Sequence, residues 1–124
     1  MKPQAKRLKP LLPTLKEKKR YLAFEIVSKG KIKAFPEVSK AIWTATLSFV
    51  GTKGAAELGL WVHGEKYQPE SQRGLIRVTH KGLDTARAAL CLVKEIESQP
   101  VIVKSLGASG IINKVEKKYL GTTH

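Results

Sequence analysis

Tyr21-Leu22-Ala23-Phe24-Glu25-Ile26-Val27-Ser28 alternates: Leu22, Phe24 and Ile26 fall on one side, Tyr21, Ala23, Glu25 and Val27 on the other, which makes it a strand with one distinctly apolar face. Lys29-Gly30-Lys31 breaks the pattern, and apolar residues then return at helical spacing. Val38, Ile42, Ala45 and Phe49 line one stripe between Pro36 and about Val50, with Pro36 suited to the first turn and Gly51 just past the end. Trp43, Leu47 and Val50 form a second stripe, so this helix is expected to meet the core on one side and another surface on the other. Leu58 to His63 and Arg73 to His80 read as two strands of an antiparallel hairpin, joined by the polar segment from Gly64 to Gln72 with Pro69 inside it. Leu83, Ala86, Leu90, Val93 and Ile96 predict a second helix over 83–97, which Pro100 stops from extending. Val101 to Leu106 is a short β-branched strand, and Gly107-Ala108-Ser109-Gly110 reads as a turn into a last helix over 110–120. There Ile111, Ile112, Val115 and Tyr119 share a face opposite Asn113, Lys114, Lys117 and Lys118.

The order β-α-β-β-α-β is the split βαβ of an α+β, ferredoxin-like sandwich of the RNA-recognition-module kind. Right-handed crossovers put both main helices on one face of a four-stranded antiparallel sheet, with the first and third strands in the middle; the C-terminal helix is extra. In RNA-recognition modules those two strands carry stacking aromatics. Here the third strand, Arg73-Gly74-Leu75-Ile76-Arg77-Val78-Thr79-His80, keeps the Arg-Gly-x-x-x-Val frame but has Leu75, Arg77 and His80 where aromatics would stand. Stacking contributes roughly 1 to 3 kcal/mol per base, so a base-reading sheet is disfavoured. Arg77 and Glu25 should share this face and are expected to pair, with Leu75, Ala23 and Val27 making the rest of it apolar. Either the last helix folds back over that face, or both surfaces recruit another protein.

With 124 residues, 42% of them apolar, the chain has the length and composition of one folded domain. Its charge is concentrated: Met1 to Arg20 holds eight basic side chains against Glu17 alone, more than half of the net +13. Residues 1–20 therefore read as a basic arm and 21–124 as a single domain. Pro3, Pro10 and Pro13 deny the arm a continuous helix, while Leu8, Leu11, Leu12 and Leu15 imply that part of it docks on protein. A pI near 10 favours a phosphate-bearing partner, though charge alone does not choose among RNA, DNA and anionic lipid. No apolar run approaches the ~18 to 20 residues of a membrane span, and the charged N-terminus lacks the apolar centre of a secretory signal. Cys91 has no partner for an internal disulfide. Both features point to a cytosolic protein without a membrane partner.

Catalytic motifs are scarce. His63, His80 and His124 show no zinc-site spacing, Cys91 has no companion ligand, and Glu65, Glu70, Glu95 and Glu97 form no identifiable acid–base pair. The Gly107–Gly110 segment lacks the Gly-Lys-Ser/Thr of a Walker loop, although its amides could face a phosphate. No catalytic residue, metal ligand or protein-bound cofactor is expected.

Four segments carry a family likeness. Leu12 to Ile26, Val78-Thr79-His80-Lys81-Gly82-Leu83-Asp84-Thr85-Ala86-Arg87-Ala88-Ala89-Leu90, Leu106-Gly107-Ala108-Ser109-Gly110-Ile111-Ile112-Asn113-Lys114 and Lys117-Lys118-Tyr119-Leu120-Gly121 resemble, in order, the ribonuclease P protein component 2 family. The resemblance implies a non-catalytic subunit of an RNA-based endoribonuclease that removes the 5′ leader of precursor tRNA, with Mg²⁺ held by the RNA. It also implies a protein partner, the barrel-shaped component 3, in a complex that can hold two copies of each. The candidate RNA contacts are Lys6, Arg7 and Lys9 in the arm, Lys16, Lys18, Lys19 and Arg20 at its junction with the first strand, and Arg73, Arg77 and Lys81 beyond. Candidate protein contacts are Leu12 and Leu15, then Trp43, Leu47 and Val50, then Ile111, Val115 and Tyr119. Two other classes stay open: a general structured-RNA-binding or ribosome-associated protein on the same fold, and a protein-interaction scaffold that its charge keeps soluble.

Overall fold

A computed structural model describes residues 18–121. Strand β1 (Lys19–Val27) lies inside a four-stranded antiparallel sheet, between β3 (Arg73–Thr79) and β6 (Ile102–Ser109). The two-residue β2 (Trp61–Val62) closes the far edge against β3, giving the order β2-β3-β1-β6. This is the ferredoxin-like arrangement, with the first and third strands side by side in the middle. Helices α1 (Phe35–Leu58) and α2 (Leu83–Cys91) cover one face. Leu22, Phe24 and Ile26 of β1 and Ile76 and Val78 of β3 meet Val38, Ile42 and Leu90 of the helices there, all nearly or wholly buried. Each such side chain contributes about 1.5 to 3 kcal/mol by leaving water. Gly74, directly opposite Phe24, belongs to this packing: a Cβ there would come within 2.6 Å of the Phe24 ring.

Helix α1 starts with proline in its first turn and breaks at Gly51 (φ 78°, ψ 175°), as the sequence indicates, but then resumes to Leu58. Gly59 ends it in the left-handed region (φ 61°), its N–H bonded to the Ala56 carbonyl at 3.2 Å. Leu58 thus belongs to the helix, and the strand expected over Leu58–His63 shrinks to Trp61–Val62. Phe49, assigned to the core stripe, is 48% exposed just before the break.

The second helix is shorter than its apolar spacing suggests. It stops at Cys91, and a small hairpin of β4 (Glu95–Ile96) and β5 (Gln99–Pro100) follows. Glu97 (φ 54°) and Ser98 (φ 64°) form its two-residue turn, with the paired positive φ values that match strand twist. Val93 and Ile96 are buried as predicted; three-residue spacing is met equally well by a hairpin bent over the core. Gly107, Ala108 and Ser109, read as a turn, are the end of β6. The register against β1 jumps from Ala23↔Gly107 to Phe24↔Ser105, so Leu106 is an extra residue in a bulge.

The centre of the sheet's other face is covered from within the chain. A C-terminal helix α3 starts at Ile112–Val115, continues as a wider π-helical turn over Glu116–Leu120 and ends at Gly121 (φ 67°). Val115 and Leu120 pack on Ala23 and Leu75, with Tyr21, Leu106, Ile112 and Tyr119 around them. Of the two possibilities left by the sequence, folding back is the one realised. Two polar ties hold the helix: Arg73 Nη1 donates to the Tyr119 carbonyl at 2.8 Å, and Lys66 pairs with Glu116 at 2.7 Å. The expected Glu25–Arg77 pair does not form. Register sets Arg73 opposite Glu25 (3.8 Å) and Arg77 opposite Tyr21, and Lys104 approaches Glu25 at 4.0 Å. Alternation identifies the face, but any even-numbered slip, here four residues from Arg77 to Arg73, preserves the face and changes the partner.

Candidate nucleic-acid interface

Three strands end together where β1 begins, and their ends gather cationic side chains. Lys19 is paired with Thr79, Tyr21 with Ser109, and the His80 N–H donates to the Lys18 carbonyl at 2.7 Å. The Thr79 hydroxyl accepts the Gly82 N–H at 3.2 Å and so shapes the tight turn His80–Gly82 that leads into α2, with His80 and Lys81 exposed on it. Gly82 fits beneath because it lacks a side chain; a Cβ would lie 2.4 Å from Leu58. Arg20 Nη1 donates to the Lys19 carbonyl at 3.0 Å, beside Gly110. Four sequence candidates, Lys18, Lys19, Arg20 and Lys81, are therefore brought to one end of the sheet. Lys19 and Arg20, placed in the arm by charge, belong to β1. An open groove next to this end, lined by Val50, Lys53, Leu58, Lys81 and Thr85, adds Lys53, which had no distinguishing sequence signal.

Arg73 and Arg77 lie on the sheet face instead. Arg73 is engaged by Glu25 and the Tyr119 carbonyl, so much of its hydrogen-bonding capacity serves to hold α3. Arg77 lies over the indole of Trp61, its guanidinium carbon 5.7 Å from the ring centroid. His63 stands between Trp61 (6.5 Å between ring centroids) and Tyr21 (6.1 Å), with Nδ1 3.2 Å from the Glu65 carboxylate. A backbone N–H bond and then the His63 ring hold the Glu65 carboxyl below the ordinary carboxylate value; the Glu116 carboxylate holds the Lys66 ammonium above its own. The third strand itself carries no aromatics, but Tyr21 comes from β1 and Trp61 from β2. This cluster escaped sequence reasoning because it depends on the Trp61↔Arg77 register across two strands.

The candidate protein contacts separate. Leu47 (44%) and Ile111 (52%) are exposed, while Trp43 and Val50 are half-buried against the main core. On α3 itself Val115 is buried and Tyr119 half-buried against the sheet, so the apolar surface of Val115 is used inside the chain. Leu92, also exposed, was not singled out by the sequence, and the exposed Phe49 was assigned to the core stripe rather than to a contact surface. Lys6, Arg7, Lys9, Lys16, Leu12 and Leu15 lie outside the described residues. Among the described residues no three His, Cys, Asp or Glu side chains are grouped to hold a metal ion, and no helix is long and apolar enough to cross a membrane.

Ribonuclease P protein component 2 of Thermococcus gammatolerans is 40% identical over 112 residues, spanning 90% of this chain and 91% of the relative. The component 2 proteins of Pyrococcus horikoshii (36%, 93% of each chain) and Methanocaldococcus jannaschii (36%, 92% of this chain and 81% of the relative) are similar in the same way. A chain in the cryo-EM structure of yeast ribonuclease MRP has the same fold, with a TM-score of 0.59 over 85% of this chain and 93% of that one, at 16% identity. The family model for Rpp14/Pop5 matches residues 20–120, all four strands of the sheet and the three helices included, and the chain belongs to the Rpp14/Pop5 family.

Proposed function

We propose that this chain is a non-catalytic protein subunit of ribonuclease P that binds and organises the enzyme's RNA, which itself removes the 5′ leader of precursor tRNA. The observation that carries this reading is the cationic end of the sheet, where Lys18, Lys19, Arg20 and Lys81 meet and where the basic N-terminal sequence joins β1. Opposing RNA strands repel one another, and fixed ammonium and guanidinium groups reduce that repulsion locally. The Mg²⁺ needed for the active RNA fold falls accordingly, with the catalytic ions held by RNA ligands. The exposed Leu47 and Phe49 on α1 suit a protein neighbour, for which the barrel-shaped component 3 is the natural choice, in a complex with two copies of each. The chain works in the cytoplasm as part of this endonuclease.

Reconstitution tests the reading. Leader removal by the ribonuclease P RNA is measured at low Mg²⁺ with and without this chain and its barrel partner. Stimulation that fades as Mg²⁺ rises is expected. No stimulation at any Mg²⁺ concentration, or equal binding to ribosomal RNA and other structured RNAs, would replace it with the general RNA-binding reading.

A further inference from the structure

Trp61 is more than half exposed (54%) on the sheet face whose centre α3 covers. The apolar cluster under α3 is built from β1, β3, β6 and the helix, and Trp61 on the β2 edge lies outside it. We propose that Trp61, with Arg77, His63 and Tyr21 around it, is a stacking site for one unpaired nucleotide of the bound RNA.

Three features support it. First, the indole has an aromatic neighbour: His63 meets it nearly edge-on (69° between planes, 6.5 Å between ring centroids), a contact that restricts its rotation and lowers what is lost when a base settles on it. Second, Arg77 lies over one face of the indole, leaving the base the other, and supplies a positive charge close to the nucleotide's phosphate. Lys19, two residues before Tyr21 on the same side of β1, continues the positive charge toward the end of the sheet. Third, His63 Nε2 and Arg77 Nε are buried side-chain atoms without a hydrogen-bond partner among the described residues. Both belong to this cluster, and small side-chain rotations would turn an acceptor or a donor toward a base or phosphate. An arginine–tryptophan pair also suits a protein contact. The chain's net charge of +13 and the arginine at the centre of the cluster favour a polyanion. The base must be unpaired, because a paired base inside a helix has both faces covered by its neighbours.

This inference rests on the reading of RNA as the partner, and its test separates the two. The full chain is titrated with a short single-stranded oligoribonucleotide and with a duplex of equal phosphate number, as wild type, Trp61→Ala and Trp61→Phe. Trp61→Ala should weaken single-strand binding roughly five- to a hundredfold, the loss of one stacked base, and leave duplex binding and the salt dependence unchanged. Trp61→Phe should restore much of the affinity, and ultraviolet cross-linking should attach the oligonucleotide to the peptide that holds Trp61. Equal losses on both ligands, no loss on either, or a phenylalanine variant as weak as the alanine one would overturn the stacking site. If such a result comes with intact binding of ribonuclease P RNA and intact stimulation at low Mg²⁺, the functional reading stands without it. Wild-type protein that binds neither RNA would remove both. Loss of the barrel partner alone from the Trp61→Ala variant would reassign the surface to protein and overturn the proposal.

Discussion

Gly107→Ala probes the seam between α3 and the sheet. A Cβ at this position would lie 2.0 Å from the Tyr119 hydroxyl oxygen and 2.3 Å from the carbon that bears it, well inside van der Waals contact. The phenol ring is rigid and half-buried, so relief requires α3 to shift or Tyr119 to leave its seat. Overpacking of this kind costs about 1 to 3 kcal/mol. Against it stands the gain of about 0.5 to 1 kcal/mol from replacing a glycine inside a strand, which leaves a net loss of roughly 1 to 2 kcal/mol. For a domain of this size that is a fall of the order of 5 to 10 °C in Tm. The decisive assay is a double-mutant cycle by urea unfolding with Tyr119→Ala. Removing the ring opens the space, so Gly107→Ala should become neutral or slightly stabilising in that background, a coupling of at least about 1 kcal/mol. A Gly107→Ala cost that is the same with and without the ring would refute the account of the seam.

Gly51→Ala should destabilise by about 1 to 3 kcal/mol in thermal melts although nothing crowds the position, because φ 78°, ψ 175° is backbone that only glycine adopts without strain; an unchanged Tm would show that the break in α1 does not need it. Burial pushes the Tyr67 phenol up to about 12 from 10, and its hydroxyl donates to the Ile32 carbonyl at 2.6 Å. The unfolded chain therefore releases this proton first, and the contribution to stability is complete below pH 10 and lost as pH rises toward 12. Tyr67→Phe should cost about 1 kcal/mol at neutral pH, with a difference from wild type that narrows through this alkaline window. Parallel pH–stability curves would contradict it. Deletion of Met1 to Leu11 removes Lys2, Lys6, Arg7 and Lys9 and should weaken RNA affinity more than it lowers Tm. If about four arm cations meet phosphate, affinity should fall roughly tenfold per doubling of salt and the slope should flatten in the truncated chain. An unchanged affinity and slope would remove the arm from the interface.

The architecture was legible because alternation in β1 and three-residue spacing in α1 and α2 report burial directly, and burial is what the layers share. Val93 and Ile96 show where that stops: both are buried, yet the backbone that buries them is a hairpin, and apolar spacing carries no information about which hydrogen bonds are made. Gly107 shows the same at one residue. Glycine beside glycine-rich sequence reads as a turn, whereas its reason is a tyrosine twelve positions later resting on a strand. The cationic end was visible in Lys18, Lys19 and Arg20 because those charges are consecutive in sequence. Trp61 and Arg77 are sixteen residues apart, and only the β2–β3 register joins them. Lys53 was hidden likewise, since its nearness to Lys81 follows from the resumption of α1 after Gly51.

The docking of α3 has a consequence for biogenesis. The patch formed by Ala23 and Leu75 is complete in sequence long before Val115 and Leu120, the side chains that seal it, leave the ribosome. Translation adds about 5 to 20 residues per second, so a nascent chain spends seconds with an apolar sheet surface in water. During that interval the surface is open to chaperones, to other nascent chains and to any protein that competes with the chain's own last helix. A message truncated before codon 112 would make that exposure permanent, and its product should be insoluble or rapidly degraded even though both central strands and both large helices are encoded.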